Sequence, residues 1–190
     1  MTIITNWFTM DNKLGVNLNQ PQTISSTLNP EVPAPSNALL DRVQGNFGSE
    51  WIFVQASTTV TAFNAVVIDN VGRANNMTSA LVASHVYAYG IAEFQVSNAN
   101  GGGAAGDFFW ALCKANGGVA VNVSPSVGRG VQMYISQTLP GYFTSSVTSN
   151  AIIGIELVAS IGTSASNPGE AIMRTYMIAA TDMAVAGATV

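Results

Sequence analysis

The sequence predicts an all-β protein, a compact barrel or sandwich preceded by an extended Pro-rich arm. Three observations carry that prediction. From Phe47 onward, short β-branched and aromatic runs recur. Clusters of Gly, Ser, Asn and Pro separate them at regular spacing. The first 46 residues, by contrast, hold Pro21, Pro30, Pro33 and Pro35 among Thr, Ser, Asn and Gln.

Taken in order, residues 1–46 form the expected arm. Each proline fixes its own φ and pushes its predecessor towards an extended backbone. Ile24, Leu28 and Val32 stand isolated between polar residues, so this stretch builds no core of its own. A short helix is expected over 37–44, with Ser36 as cap and Leu39, Leu40 and Val43 on one face. Gly45 would stop it.

Residues 47–178 are the expected β domain. Trp51–Gln55 and Ala65–Asp69 read as strands. Val82–Val96 reads as one long strand or two strands bent at Gly90, with Val86, Ala88, Gly90, Ala92, Phe94 and Val96 on one face and Tyr87, Tyr89, Ile91, Glu93 and Gln95 on the other. Asp107–Lys114, Val119–Val123, Val131–Ile135, Ile152–Val158 and Ala171–Ile178 complete the set, with Asn116-Gly-Gly118 read as one of the turns between them. Residues 179–190 are a small, apolar tail, sticky as an unpaired strand and expected to dock on a neighbour.

Composition bounds the function. The chain has 190 residues, of which 48% are hydrophobic and only 8% charged. A globule of 19.7 kDa exposes roughly 8,600 Å², so its charges lie about 540 Å² apart. That surface suits a protein that works assembled rather than a free monomer. Net charge −4 and the lack of a Lys/Arg cluster argue against nucleic-acid binding. The apolar, uncharged stretch Trp51–Ile68 is broken by polar residues, so no transmembrane helix is expected. The N-terminus lacks the pattern of a secretory signal. One cysteine, Cys113, excludes an internal disulfide and a multi-cysteine metal site.

Little chemistry survives scrutiny. His85, the only histidine, lies in a strand-like stretch with no acid or nucleophile beside it. Cys113 reads as a buried strand thiol. Gly101-Gly-Gly103-Ala-Ala-Gly106 matches a dinucleotide fingerprint in letters only. Phe108-Phe-Trp110 follows where a helix is required, and no acid occurs between Asp107 and Glu156. Glu93, Asp107, Glu156 and Glu170 are the carboxylates from which folding could assemble an acid pair. No catalytic, cofactor or metal-binding set is assigned. The partner-contact candidates are Trp7 and Phe8, aromatics in an arm without a core, together with Ile24, Leu28, Arg42 and Arg129, the last in the Gly128-Arg-Gly130 turn.

The run Ala105-Gly-Asp107-Phe-Phe-Trp-Ala-Leu112, the Gly-rich hairpin after it, Ile152-Ile-Gly-Ile-Glu-Leu-Val-Ala159 and the closing strand 171–178 resemble small β-barrel capsid decoration, or cement, proteins of tailed bacteriophages. The similar region spans roughly residues 50 to 178. The resemblance implies a non-enzymatic virion protein, made in the host cytoplasm. It would sit on the capsid exterior, bind the major capsid protein, assemble as a homotrimer and stabilise the shell. It brings no catalytic residues. The Pro-rich arm and the connection over 75–84 depart from the pattern. Two other readings remain open. One is a fibre or spike protein that binds a host-surface glycan through Tyr87, Tyr89, Phe108, Trp110 and Tyr142. The other is a β-fold hydrolase using Glu93, Asp107 or Glu156.

Overall fold

The computed structural model describes residues 3, 6–10, 16–22, 37–84, 86–96, 106–146, 151–159 and 168–180. Strands come in the order β1 (Arg42–Gly45), β2 (Ser49–Ala56), β3 (Ala65–Ile68), β4 (Arg73–Asn76), β5 (Ala88–Ile91), β6 (Phe108–Asn122), β7 (Met133–Ile135), β8 (Phe143–Thr144), β9 (Ala151–Ile153), β10 (Glu156–Leu157), β11 (Pro168–Met173) and β12 (Ile178–Ala179). A single helical turn, α1 (Ser79–Val82), is capped by Thr78, whose hydroxyl accepts from the Leu81 N–H at 3.3 Å.

Strands β2, β4, β3, β5 and β6 pair in that order, and β6 returns to β2, closing a five-stranded barrel. All its pairings are antiparallel except β2 with β4. The protein is therefore all-β, with a closed barrel at its centre. The long β6 extends beyond the barrel, and its second half carries β11, with β10 outside that. A second sheet has the order β12-β9-β7-β8.

Strand alternation divides the apolar side chains into two cores. Ile52, Val54, Ala56, Val66, Ile68, Ala74, Phe109, Ala111 and Cys113 fill the barrel. A barrel of only five strands is narrow, which accounts for the alanines and the glycine at this layer. At Gly90 a Cβ would stand 3.0 Å from the Ala111 Cβ and 3.2 Å from the Leu112 carbonyl. Residues of opposite parity, Trp51, Phe53, Val67, Ile91, Trp110 and Leu112, join side chains of the second sheet in the larger core outside the barrel wall. Strand β2 is thus buried on both faces, as its nearly unbroken apolar run requires.

Several expectations are corrected. No helix forms over 37–44; Leu39 and Leu40 lie in a turn, and Arg42–Gly45 is strand β1, paired with Ile52–Ser49 of β2. The main sheet therefore begins before residue 47. Pairing along the β2 edge outweighs the weak helical spacing of Leu39, Leu40 and Val43. Val82 ends α1 rather than beginning a strand, and regular pairing in that region is confined to Ala88–Ile91. Asn116-Gly-Gly118 is not a turn; β6 runs through it, and the register against β11 slips there, from Ile172 opposite Gly118 to Met173 opposite Ala115. Ile152–Val158 is two strands in different sheets. Gly154, at φ +94°, supplies the break, a conformation closed to most side chains. The closing run likewise splits between β11 and β12.

The N-terminal residues in view do not stand away from the domain. Thr9 bridges Gly45, the Met10 N–H donates to the Gln44 carbonyl at 2.8 Å, and Gln22 and Phe108 exchange backbone hydrogen bonds at 2.7 and 3.0 Å. Most of the Pro-rich stretch, including Ile24, Leu28, Pro30, Pro33, Pro35 and the Ser36 cap, lies outside the described residues. So do His85, the glycines of 101–103 and the tail beyond residue 180.

Candidate functional site

At the end of the barrel where β2 and β5 begin, and where β6 passes through Lys114, five polar side chains converge. Arg42, from β1, places its guanidinium 5.8 Å from the Tyr87 ring centre and 5.7 Å from that of Tyr176. Lys114 lies 5.7 Å from the same Tyr176 ring and donates to Glu50 Oε1 at 3.3 Å. The Tyr176 hydroxyl donates to the other oxygen, Glu50 Oε2. The register explains the meeting, since Glu50 is paired with Lys114 across β2 and β6.

The electrostatics follow from these contacts. The hydrogen bond from Tyr176 holds the Glu50 carboxyl below its ordinary range against a smaller opposing effect of burial, with Lys114 acting in the same direction. The same bond raises the Tyr176 hydroxyl, because losing its proton would set two negative groups together. Burial alone would lower the Arg42 pKa; the hydrogen bond with Tyr87, backed by neighbouring ionisable groups, outweighs it and holds the guanidinium above its usual value. Beside the cluster opens a cleft of about 390 Å³, whose lining includes Arg42, Tyr87, Tyr89, Tyr176, Met177 and Ile178. That size falls within the roughly 300–1,000 Å³ of small-molecule sites.

A second surface feature lies where the N-terminal residues meet β1. Phe8, Met10 and Phe47 are 58%, 70% and 57% exposed. The Asn46 N–H donates to the Phe8 carbonyl at 3.0 Å, and the Asn46 side-chain oxygen accepts from the Phe8 N–H at 3.3 Å, which sets the three residues on adjoining backbone. Phe47 has φ +55° and ψ +30°, a left-handed conformation that glycine or asparagine adopts far more readily than an aromatic residue.

The remaining candidates scatter. Trp7, expected as an unburied anchor, is 1% exposed; it packs edge-on against Trp51 with ring centres 5.1 Å apart. Its pocket comes from β2 and from Glu93, so the arm needs no core of its own to bury it. Arg129 is exposed in its turn, followed by Gly130 at φ +69°. Of the aromatics considered for glycan stacking, Tyr87 and Tyr89 share the cleft, whereas Trp110 is buried and Phe108 stacks on Phe53 at 5.6 Å. Among the carboxylates, Glu93 is buried beneath Trp7 and Glu156 is exposed on β10. Among the described residues no three His, Cys, Asp or Glu side chains gather as metal ligands. Sequence reasoning missed Tyr176 and the pairing of Glu50 with Lys114. The signal for Tyr176 was its place two residues after Arg174 in a largely apolar run; the Glu50–Lys114 pairing has no local signal.

No protein-family model matches the chain, and no curated protein matches it in sequence.

Proposed function

We propose that this protein is a non-enzymatic structural component of a phage particle, a decoration protein on the outer face of the capsid that secures the shell. The observation that carries the reading is Phe47. An aromatic side chain held at φ +55° leaves 57% of its surface exposed at a backbone cost of about 1–3 kcal/mol. Such a residue makes sense as a contact, and Phe8 and Met10 extend the surface around it. The sparse charge of the chain supports the same reading. The partner, the major capsid protein, and the trimeric state rest on the sequence resemblance described above.

The test is copy number in purified particles relative to the most abundant shell protein, followed by a Phe8→Ser/Phe47→Asn double variant. A ratio near one, or a simple fraction of it, with the variant folded but lost from particles, is the expected result. Full retention of the variant, or absence of the protein from particles, would overturn the reading. A few copies per particle would favour a fibre protein that binds a host glycan, a second reading supported by the placement of Tyr87 and Tyr89 in one cleft.

A further inference from the structure

We infer that the cleft bounded by Arg42, Tyr87 and Tyr176 is a binding site for an acidic sugar, a pyranose bearing a carboxylate. The inference deepens the glycan-binding reading and does not depend on shell attachment.

The charge distribution supports it first. The chain carries 6 basic residues against 10 acidic ones, yet Arg42 and Lys114 meet here around Glu50 alone. Glu50 is already engaged by Lys114 and by the Tyr176 hydroxyl. Among the described residues no carboxylate forms an ion pair with Arg42. A guanidinium 5.8 and 5.7 Å from two ring centres is a planar, always-charged donor suited to a carboxylate, which it binds with two parallel hydrogen bonds.

Shape supports it next. Tyr87 and Tyr176 are 49% and 42% exposed, large aromatic faces left open beside the cation, and Met177 and Ile178 add apolar lining. A pyranose presents a C–H face to stack on an aromatic ring and a polar edge to meet Arg42, so a sugar acid satisfies both halves of the cleft at once. An acidic peptide would supply the carboxylate and could pair at β1 or β12, the outermost strands of their sheets, but strand pairing would leave the open Tyr87 and Tyr176 faces without a stacking partner. The sugar needs no such edge.

The test is titration of the intact protein with methyl glucuronide and with a methyl sialoside, followed by NMR at the Tyr87 and Tyr176 rings. Methyl glucoside and an Asp-containing tripeptide serve as comparisons. The acidic sugars are expected to shift both rings with millimolar affinity, and the neutral sugar and the peptide to bind at least about tenfold more weakly. Arg42→Gln and Tyr87→Ala should each weaken acidic-sugar binding by about tenfold or more, and Tyr87→Ala should leave incorporation into particles unchanged, which separates this site from the Phe8–Phe47 surface. Arg42→Lys keeps the charge and removes the planar fork; an intermediate loss is expected, and it replaces Arg42→Gln should that variant not fold. Absence of shifts with both acids, equal binding of the neutral sugar, tighter binding of the peptide, or undiminished binding in the variants would overturn the inference.

Discussion

Trp7 Nε1 donates a hydrogen bond to Glu93 Oε2 at 3.2 Å, tying a residue near the N-terminus to a carboxyl 86 positions later. The other oxygen, Oε1, is buried without a hydrogen-bond partner among the described residues. Burial pushes the Glu93 pKa up to about 8 and the Trp7 bond only partly opposes it, so the folded protein holds this carboxyl protonated through neutral pH.

A reversed pH dependence follows. In the unfolded chain the carboxyl ionises near its ordinary 4.5, in the folded chain near about 8. The folded state therefore binds the extra proton between those values. The contribution of Glu93 is fully present below about 4.5 and is lost as pH rises through about 8. The slope is about 1.4 kcal/mol of lost stability per pH unit across that window. Denaturant unfolding at a series of pH values should show the decline, and Glu93→Gln, which keeps an acceptor for Trp7, should flatten it. An unchanged slope in that variant would assign the effect elsewhere.

Trp7 and Phe8 are neighbours with opposite fates, one 1% and the other 58% exposed. Trp7→Ala removes a ring wedged against Trp51 and takes the Glu93 donor with it, so a loss of about 3–5 kcal/mol is expected. Phe8→Ala should change stability by no more than about 0.5 kcal/mol. Equal midpoints for the two variants in urea would mean that residue 7 is not part of the core.

The contrast shows where the sequence was legible. The alternation over Val86–Val96 is legible in the sequence and holds for most of the run, with Ala88, Ala92 and Val96 on the barrel side and Tyr89 and Ile91 outside it, but it fails at Val86, which packs on the outer core before the strand begins. Period-two patterning survives because each strand has a fixed inside and outside. Trp7 was misread because its pocket is supplied by Trp51 and Glu93, distant in sequence, while its immediate neighbours are polar. The two strands around Gly154 were merged because Ile-Gly-Ile-Glu-Leu keeps its alternation through a residue whose φ changes the chain's direction. The Arg42–Tyr176 cleft was invisible for a related reason. It exists only once Arg42 at the start of β1 and the link between β11 and β12 meet at one end of the barrel, and no local pattern records that meeting.

Gly90 marks how closely the barrel walls approach. Its Cβ would press on Ala111 at 3.0 Å and on backbone at 3.2 Å. Gly90→Ala should therefore destabilise by about 1–3 kcal/mol, although alanine is normally the better residue in a strand interior. Adding Ala111→Gly should recover part of the loss, since it removes one of the two obstructions. A double-mutant cycle with no coupling would show that the barrel relaxes freely at this layer.

Cys113 lies on the same inner surface, 1% exposed, and burial pushes its thiol up to about 12. The thiolate is the nucleophile, so at mildly alkaline pH the folded protein offers almost none of it. Modification must wait for the barrel to open, and its rate then reports the opening equilibrium. An aromatic disulfide reagent should label Cys113 at least about 10³-fold more slowly in the folded protein than in urea. Gly90→Ala should accelerate labelling by the factor its lost stability dictates, about tenfold for each 1.4 kcal/mol. Rapid labelling of the wild-type protein, or no acceleration in the variant, would place Cys113 outside the cooperative barrel.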